Sequence, residues 1–248
     1  MPLLATPDDH ADAARLAHEA GQLLLGLRSR IGAEPADHVK DEGDRRSHEL
    51  LMARLAELHP GDAVLSEEGA DDQARLRAER VWIVDPLDGT REFGEPPRVD
   101  WAVHVALVID EVAVAGAVAL PGRALVLSTA RPPTAAPGVD RIRLAVSRTR
   151  PPAAAQLLAD ALDAELVPMG SAGAKAMAVV LGEVDVYAHS GGQYEWDSAA
   201  PVAVALAAGL HCSRLDGAPL RYNQPNPWLP DLLICRAALA ERVLDALR

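Results

Sequence analysis

The stretch Arg80-Val81-Trp82-Ile83-Val84-Asp85-Pro86-Leu87-Asp88-Gly89-Thr90-Arg91-Glu92-Phe93 constrains this chain more than any other. Val81 to Val84 is short, apolar and rich in β-branched residues, which predicts a buried strand. Pro86 has no N–H to give to a sheet ladder, so the strand is expected to end there. Asp85 and Asp88 then project from the turn beyond it. Gly89 permits a close backbone approach, and the N–H groups of Gly89 and Thr90 can face an anion at the start of a following helix. Two carboxylates, the Leu87 carbonyl and two N–H groups therefore crowd one spot. Hard cations such as Mg²⁺ take oxygen ligands, and a phosphate takes N–H donors beside a cation. A plain Pro-x-Asp-Gly surface turn has the same composition, so the stretch alone leaves both readings open.

Two further acidic spots bear on that choice. Ser66-Glu67-Glu68-Gly69 follows the apolar Ala63-Val64-Leu65, and Glu195-Trp196-Asp197-Ser198-Ala199-Ala200 lies far downstream. Taken in order, Glu67-Glu68-Gly69, Asp85 to Thr90, and Trp196 to Ala200 resemble the three signatures of the inositol monophosphatase-like phosphatases. These are magnesium-dependent, lithium-sensitive enzymes. The resemblance runs from about residue 10 to the C-terminus, and three motifs in order are far more specific than any one of them.

Composition limits the alternatives. A chain of 248 residues can build one large domain or two small ones. A formal net charge of −12 argues against polymeric nucleic acid as a partner, because phosphate contacts need basic surface. A bound metal would still let an acidic protein hold a small anion. Two cysteines, Cys212 and Cys235, are too few for a disulfide framework or a thiolate zinc site. The first residues lack the basic segment and apolar core of a signal peptide, and Asp110-Glu111 interrupts the best candidate for a membrane span. A cytoplasmic protein with no membrane partner is the expectation.

Periodicity predicts the elements. Asp8 to Ser29 reads as an amphipathic helix, residues 31 to 43 as a loop, and Asp44 to Leu58 as a second helix stopped by Pro60-Gly61. Asp71 to Glu79 is a charged loop or short helix. Trp101 to Ile109 and Val112 to Leu120 read as strands joined by a hairpin turn at Asp110-Glu111, and Ala124 to Ser128 as a third. The run 131–138, with its three prolines, is the clearest linker. It divides an N-terminal α+β part, 1–130, from a C-terminal α/β part, 139–248. In the second part, strand-like runs at 143–146, 165–167, 184–187 and 232–235 alternate with helical runs at 152–162, 172–181, 198–208 and 237–247. The resemblance implies the sugar-phosphatase fold, a layered αβαβα sandwich with its site where the two parts meet.

It also implies the site. Glu67, Asp85, the Leu87 carbonyl, Asp88 and Asp197 match the family's metal ligands for two or three Mg²⁺ ions. Asp197 could otherwise serve only as a helix N-cap. Thr90 and Asp44, with Glu67, match the residues that orient and deprotonate the attacking water. Asp44 is expected to open the second helix. An N-cap role would also account for it, and Asp41 competes because the family's Ser/Thr-x-Ala-Asp pattern is replaced by Lys40-Asp41-Glu42-Gly43-Asp44. Gly170-Ser171-Ala172-Gly173-Ala174-Lys175 resembles a segment near the rest of the substrate. Ser171, Gly173 and Lys175 therefore join Leu87, Asp88, Gly89, Thr90, Arg91 and Asp197 as substrate-side candidates, although a plain helix start with a surface lysine reads the same way. The histidines show no ligand spacing.

The activity implied is hydrolysis of a small phosphate monoester. Arg91-Glu92-Phe93, Leu220 to Asn223 and Asn226-Pro227-Trp228 resemble the 3′(2′),5′-bisphosphate nucleotidase (CysQ-type) branch. An inositol-1-phosphate or fructose-1,6-bisphosphate phosphatase is the runner-up, and a metal-binding regulatory protein without turnover is the reading from another class. Family members are commonly homodimers. For the phosphate that is not cleaved, Lys175 is the first expected anchor, with Arg91 or Arg221 next.

Overall fold

The computed structural model describes residues 4–134, 141–149 and 151–248. Helices α1 (Pro7–Ile31) and α2 (Ala36–Leu58) lead into a sheet of β1 (Ala63–Ser66), β2 (Arg80–Asp88), β3 (Ala102–Ile109), β4 (Val112–Leu120) and β5 (Leu125–Ser128). A single helical turn, α3 (Thr90–Phe93), follows β2. The strands lie in sequence order, with β1 parallel to β2 and the rest antiparallel. The second half supplies β6 (Arg143–Ser147), α4 (Ala153–Leu162), β7 (Glu165–Met169), α5 (Ala172–Val180), β8 (Val186–Tyr194), α6 (Glu195–Ala207), β9 (His211–Ser213), β10 (Trp228–Cys235) and α7 (Ala240–Ala246). Its sheet runs β7-β6-β8-β10-β9.

Three apolar clusters stack these pieces into the expected five layers. Leu16, Leu24, Leu51 and Leu55 of α1 and α2 pack on one face of the first sheet, against Trp82, Val84, Val105 and Leu107. The other face, through Ile83, Ala106 and Val118, meets α5 and α6, which also cover the second sheet at Ala145, Tyr187 and Ile234. Ala155 and Leu158 of α4 join Val243 of α7 on the outer face, over Leu144, Val186 and Leu233. The period of two along each strand sends successive side chains to opposite faces, which is how Trp82 and Ile83 reach different cores. The central cluster joins residues of both halves, and part of the 131–138 linker lies outside the described residues.

Two expectations are corrected where the site is built. Strand β2 continues through Pro86 to Asp88. Its pairing with β3 passes from Asp85–His104 to Asp88–Ala102, so β2 carries one extra residue. That is a bulge, where a proline costs no ladder bond. Helix α2 begins at Ala36, so most of the polar 31–43 segment is helical and Asp44 lies inside the helix instead of opening it. Buried Val39, Gly43, Ser47, Leu51 and Leu55 recur every four residues. The stripe is helical, but Gly43 and Ser47 stand in it where apolar side chains would have announced it.

Candidate active site

The site forms where β1 and β2 end beside the N-termini of α5 and α6. Parallel pairing sets Ser66 beside Val84, so the next residue along, Glu67, arrives beside Asp85. The two carboxyls are close enough that each raises or lowers the other's hold on its proton. Asp197 comes from the first turn of α6, where one of its oxygens accepts the Tyr194 N–H at 2.7 Å. Oxygens of Asp85, Asp88 and Asp197 lie within 4.8 Å of one another. Capping and cluster membership thus coincide in Asp197.

These carboxyls repel one another. Burial, then the charges of Glu67, Asp88 and Asp197, push Asp85 well above the ordinary carboxylate range. Burial and the charges of Asp197, Asp88 and Glu68 raise Glu67 to about 7. Burial and Asp88 raise Asp197 to about 6. An all-oxygen donor set carrying uncompensated negative charge fits a hard divalent cation.

Asp88 is different. Its carboxylate accepts from the Ser171 hydroxyl, from the Ala172 N–H at 3.0 Å and from the Gly173 N–H at 2.6 Å. His104 Nε2 stands 3.2 Å away. His104 Nδ1–H donates to the Trp196 carbonyl at 3.0 Å, leaving Nε2 to face Asp88. A lone pair there would oppose the carboxylate, so the imidazolium is the compatible form. Burial alone would push this imidazole down, but Asp88 raises it. Burial alone would raise Asp88, but His104, Ser171 and Lys175 hold it well below the usual range.

The substrate-side segment is therefore partly committed to the protein. The first N–H groups of α5 serve Asp88. A Cβ on Gly173 would fall 2.0 Å from His104 Nε2, so Gly173 is what lets α5 approach β3. Lys175, read as a surface lysine or a phosphate anchor, is buried. Its ammonium donates to the carbonyls of Ser171 at 2.6 Å and Gly170 at 3.3 Å, and burial lowers its pKa.

The Thr90 hydroxyl lies 3.1 Å from the Leu87 carbonyl and 3.5 Å from Asp44 Oδ1. It carries one proton, so the two acceptors compete for it. Helix α2 is docked here by Ser47, which donates to the Pro86 carbonyl at 2.7 Å. Burial and the charges of Glu68 and Glu67 raise Asp44 to about 8. Asp41 sits one turn away and is exposed, so the contact with Thr90 belongs to Asp44.

A cavity of about 560 Å³ opens over these groups, lined by Asp88 to Glu92, Ser171, Lys175 and Asp197 among others. Arg91 is exposed in it, at the start of α3 after Gly89, whose left-handed φ of +85° turns the chain out of the strand. Arg221 is elsewhere, paired with Glu111 at 2.6 Å. Sequence reasoning missed Arg148, which lines the same cavity and pairs with Glu92 at 2.6 Å and Glu95 at 2.7 Å. It also missed His104. Antiparallel pairing sets His104 opposite Asp85, and only a committed strand register could have shown that.

A sequence model of the inositol monophosphatase family matches residues 9–248. The chain belongs to that family. Among curated members, the 3′-phosphoadenosine 5′-phosphate phosphatase of Mycobacterium tuberculosis is 53% identical, over 92% of this chain and 89% of its own. The 3′(2′),5′-bisphosphate nucleotidase CysQ of Escherichia coli K12 is 31% identical, over 87% of this chain and 94% of its own. Solved inositol monophosphatase-family structures share the fold. CysQ from Bacteroides thetaiotaomicron superposes with a TM-score of 0.78 at 28% identity, covering 93% of this chain and 97% of its own. Inositol monophosphatase II from Staphylococcus aureus superposes with a TM-score of 0.82 at 19% identity, covering 97% and 95%. This member of the inositol monophosphatase family is thus a phosphatase by descent, with the αβαβα layering its motifs imply. Among the described residues, no helix is long and apolar enough to cross a membrane.

Proposed function

We propose that this phosphatase removes the 3′-phosphate of 3′-phosphoadenosine 5′-phosphate to give AMP. One observation carries the reading: Asp88 and Asp197 of the acidic centre line a cavity that the exposed Arg91 also lines. A bisphosphate needs two anion sites, one where bond breaking occurs and one for the phosphate that stays. The 53% identical relative, named for this substrate, supports the same choice. With Lys175 turned to backbone carbonyls and Arg221 outside the cavity, Arg91 becomes the anchor for the 5′-phosphate. Arg148, fastened to Glu92 and Glu95, braces the loop that carries it.

Glu67, Asp85, Asp88, Asp197 and the Leu87 carbonyl would hold the metal, which we take to be two or three Mg²⁺ ions. Mg²⁺ bound there supplies Lewis-acid polarisation of the phosphate and activation of a water. The chain supplies the rest. Thr90 and Asp44 hold the attacking water, and Asp44 takes its proton. A carboxyl raised to about 8 is suited to that role, since a base works best near the operating pH. Gly89 and Thr90 N–H groups meet the charge that develops on the phosphoryl oxygens. Inhibition by lithium, a homodimer and a cytoplasmic location complete the reading.

The test is a panel of 3′-phosphoadenosine 5′-phosphate, inositol-1-phosphate and fructose-1,6-bisphosphate with purified protein, with Mg²⁺ and with EDTA. The nucleotide is expected to have the highest kcat/KM. A preference for inositol-1-phosphate would overturn the substrate assignment.

A further inference from the structure

The cavity that Arg91 lines also has an aromatic lining. Only eight of 248 residues are Phe, Trp or Tyr. Among the described residues, Tyr194 and Trp228 are the aromatic side chains that stand largely exposed, at 46% and 47%, and both line this cavity. They are direct partners across the antiparallel β8–β10 pair, so their side chains rise from the same face of the sheet. Tyr194 already has a neighbour, because its ring stacks on Trp196 with centroids 4.7 Å apart and planes 7° from parallel.

Trp228 is held in place without being covered. A Cβ on Gly192 would lie 2.4 Å from its Nε1, so any side chain there would displace the indole. Gly192 also has a φ of +93°, which disfavours any other residue, and its carbonyl contacts His189 Nε2 at 3.0 Å. The segment is thus shaped around the indole, which still opens to the cavity. Exposing so large an apolar side chain has a solvation cost, and a flat ligand that covers it recovers that cost.

We propose that Trp228 is the stacking platform for the nucleobase, with Tyr194 flanking it. This rests on the nucleotide reading above. The ligand class follows from the groups that share this cavity: a planar heteroaromatic ring at Trp228 and a phosphate at Arg91, joined through a sugar whose other phosphate sits at the acidic centre. Inositol phosphates have no planar ring for this surface, so the platform selects nucleotides by binding.

The test combines kinetics with tryptophan fluorescence. Trp228→Ala should raise KM for 3′-phosphoadenosine 5′-phosphate about tenfold or more, the scale of base stacking on an aromatic side chain. Its kcat, and its kcat/KM for inositol-1-phosphate, should stay within about twofold. Trp228→Phe should restore most of the KM, since a phenyl ring still stacks. Adenosine 5′-monophosphate should quench wild-type tryptophan fluorescence, ribose 5-phosphate should not, and the quench should vanish in Trp228→Phe. An unchanged KM in Trp228→Ala, or equal quenching by the two phosphates, overturns the proposal. A wild-type enzyme inert toward the bisphosphate would break the substrate reading, while the AMP titration would still decide whether the base binds here.

Discussion

Asp85 and Asp88 stand three positions apart on one strand, and both are buried, yet their surroundings are opposite. Asp88 is answered by the protein: a hydroxyl, two N–H groups of α5 and a histidine. Asp85 accepts one backbone N–H, from Leu87 at 3.0 Å, has His104 no nearer than 3.9 Å, and is crowded by Glu67, Asp88 and Asp197. On a regular strand, residues three apart would face opposite sides; the bulge at Pro86 brings both carboxyls to one cluster, and the hydroxyl and N–H donors at the start of α5 reach only Asp88. A carboxylate satisfied by fixed donors is part of the scaffold as well as the site. One crowded by other carboxylates is a place prepared for a cation. Asp88 cannot therefore be treated as a ligand whose loss leaves the fold untouched.

Substitution separates the two sides. Asp85→Asn should lower kcat by about 10³-fold or more, the scale of several kcal/mol of lost metal assistance. The metal-free protein should melt no lower than wild type, because a repelling charge is gone. Asp88→Asn should also abolish turnover, but with a loss of roughly 1.5–3 kcal/mol from broken charge-assisted hydrogen bonds. In a chain of this size that is a fall in Tm of about 5 °C. Equal melting of the two variants, measured without metal, would erase the distinction.

Thr90→Ala comes next, with an expected loss of about 10²–10⁴ in kcat and a smaller change in KM. Asp44→Asn should behave alike, and the double variant should fall far short of the product of the single losses. Simple multiplication in steady-state assays would make Asp44 a structural residue.

Arg91→Ala should lower kcat/KM for the bisphosphate about ten- to a hundredfold, as expected for one charge-assisted contact, and spare inositol-1-phosphate. Lys175→Ala should instead harm both substrates alike, because its ammonium binds carbonyls at the mouth of α5.

The smallest effect is thermal. Asp85, Glu67, Asp197 and Asp44 have folded-state pKa values above their unfolded ones, so the folded metal-free protein binds protons more tightly. Their contribution is greatest below the unfolded values and is lost as pH rises, for Asp197, Glu67 and Asp44 through about 6 to 8. Asp88 runs the other way, since its lowered pKa contributes above the unfolded value and is lost only in acid. Mg²⁺ should therefore raise Tm more at pH 8 than at pH 5 in a thermal shift assay. The same shift at both would mean that the acidic side is not what the metal engages.

What the sequence disclosed, and what it withheld, follows the same division. Asp85, Asp88, Glu67 and Asp197 were legible because each sits in a short motif at the end of a strand or the start of a helix. Their meeting rests on the parallel register of β1 and β2 and on α6 arriving from across the core. The donors around Asp88 were not legible in the same way. His104 reaches the site only through antiparallel pairing, and Lys175 differs from a surface lysine only by burial. Helix α2 ran further than its apolar pattern because Gly43 and Ser47 occupy its buried stripe. Strand β9, three residues of His, Cys and Ser, has no periodicity to read. Trp228 carried a branch resemblance but no role until its pairing with Tyr194 set it in the cavity.

The most direct test of the central claim is to follow 3′-phosphoadenosine 5′-phosphate with the purified protein by ³¹P NMR, with Mg²⁺ and then with EDTA. The predicted outcome is loss of the 3′-phosphate resonance, with inorganic phosphate and AMP formed in equal amounts, and no turnover in EDTA. Release of the 5′-phosphate, or turnover that survives removal of the metal, would contradict it.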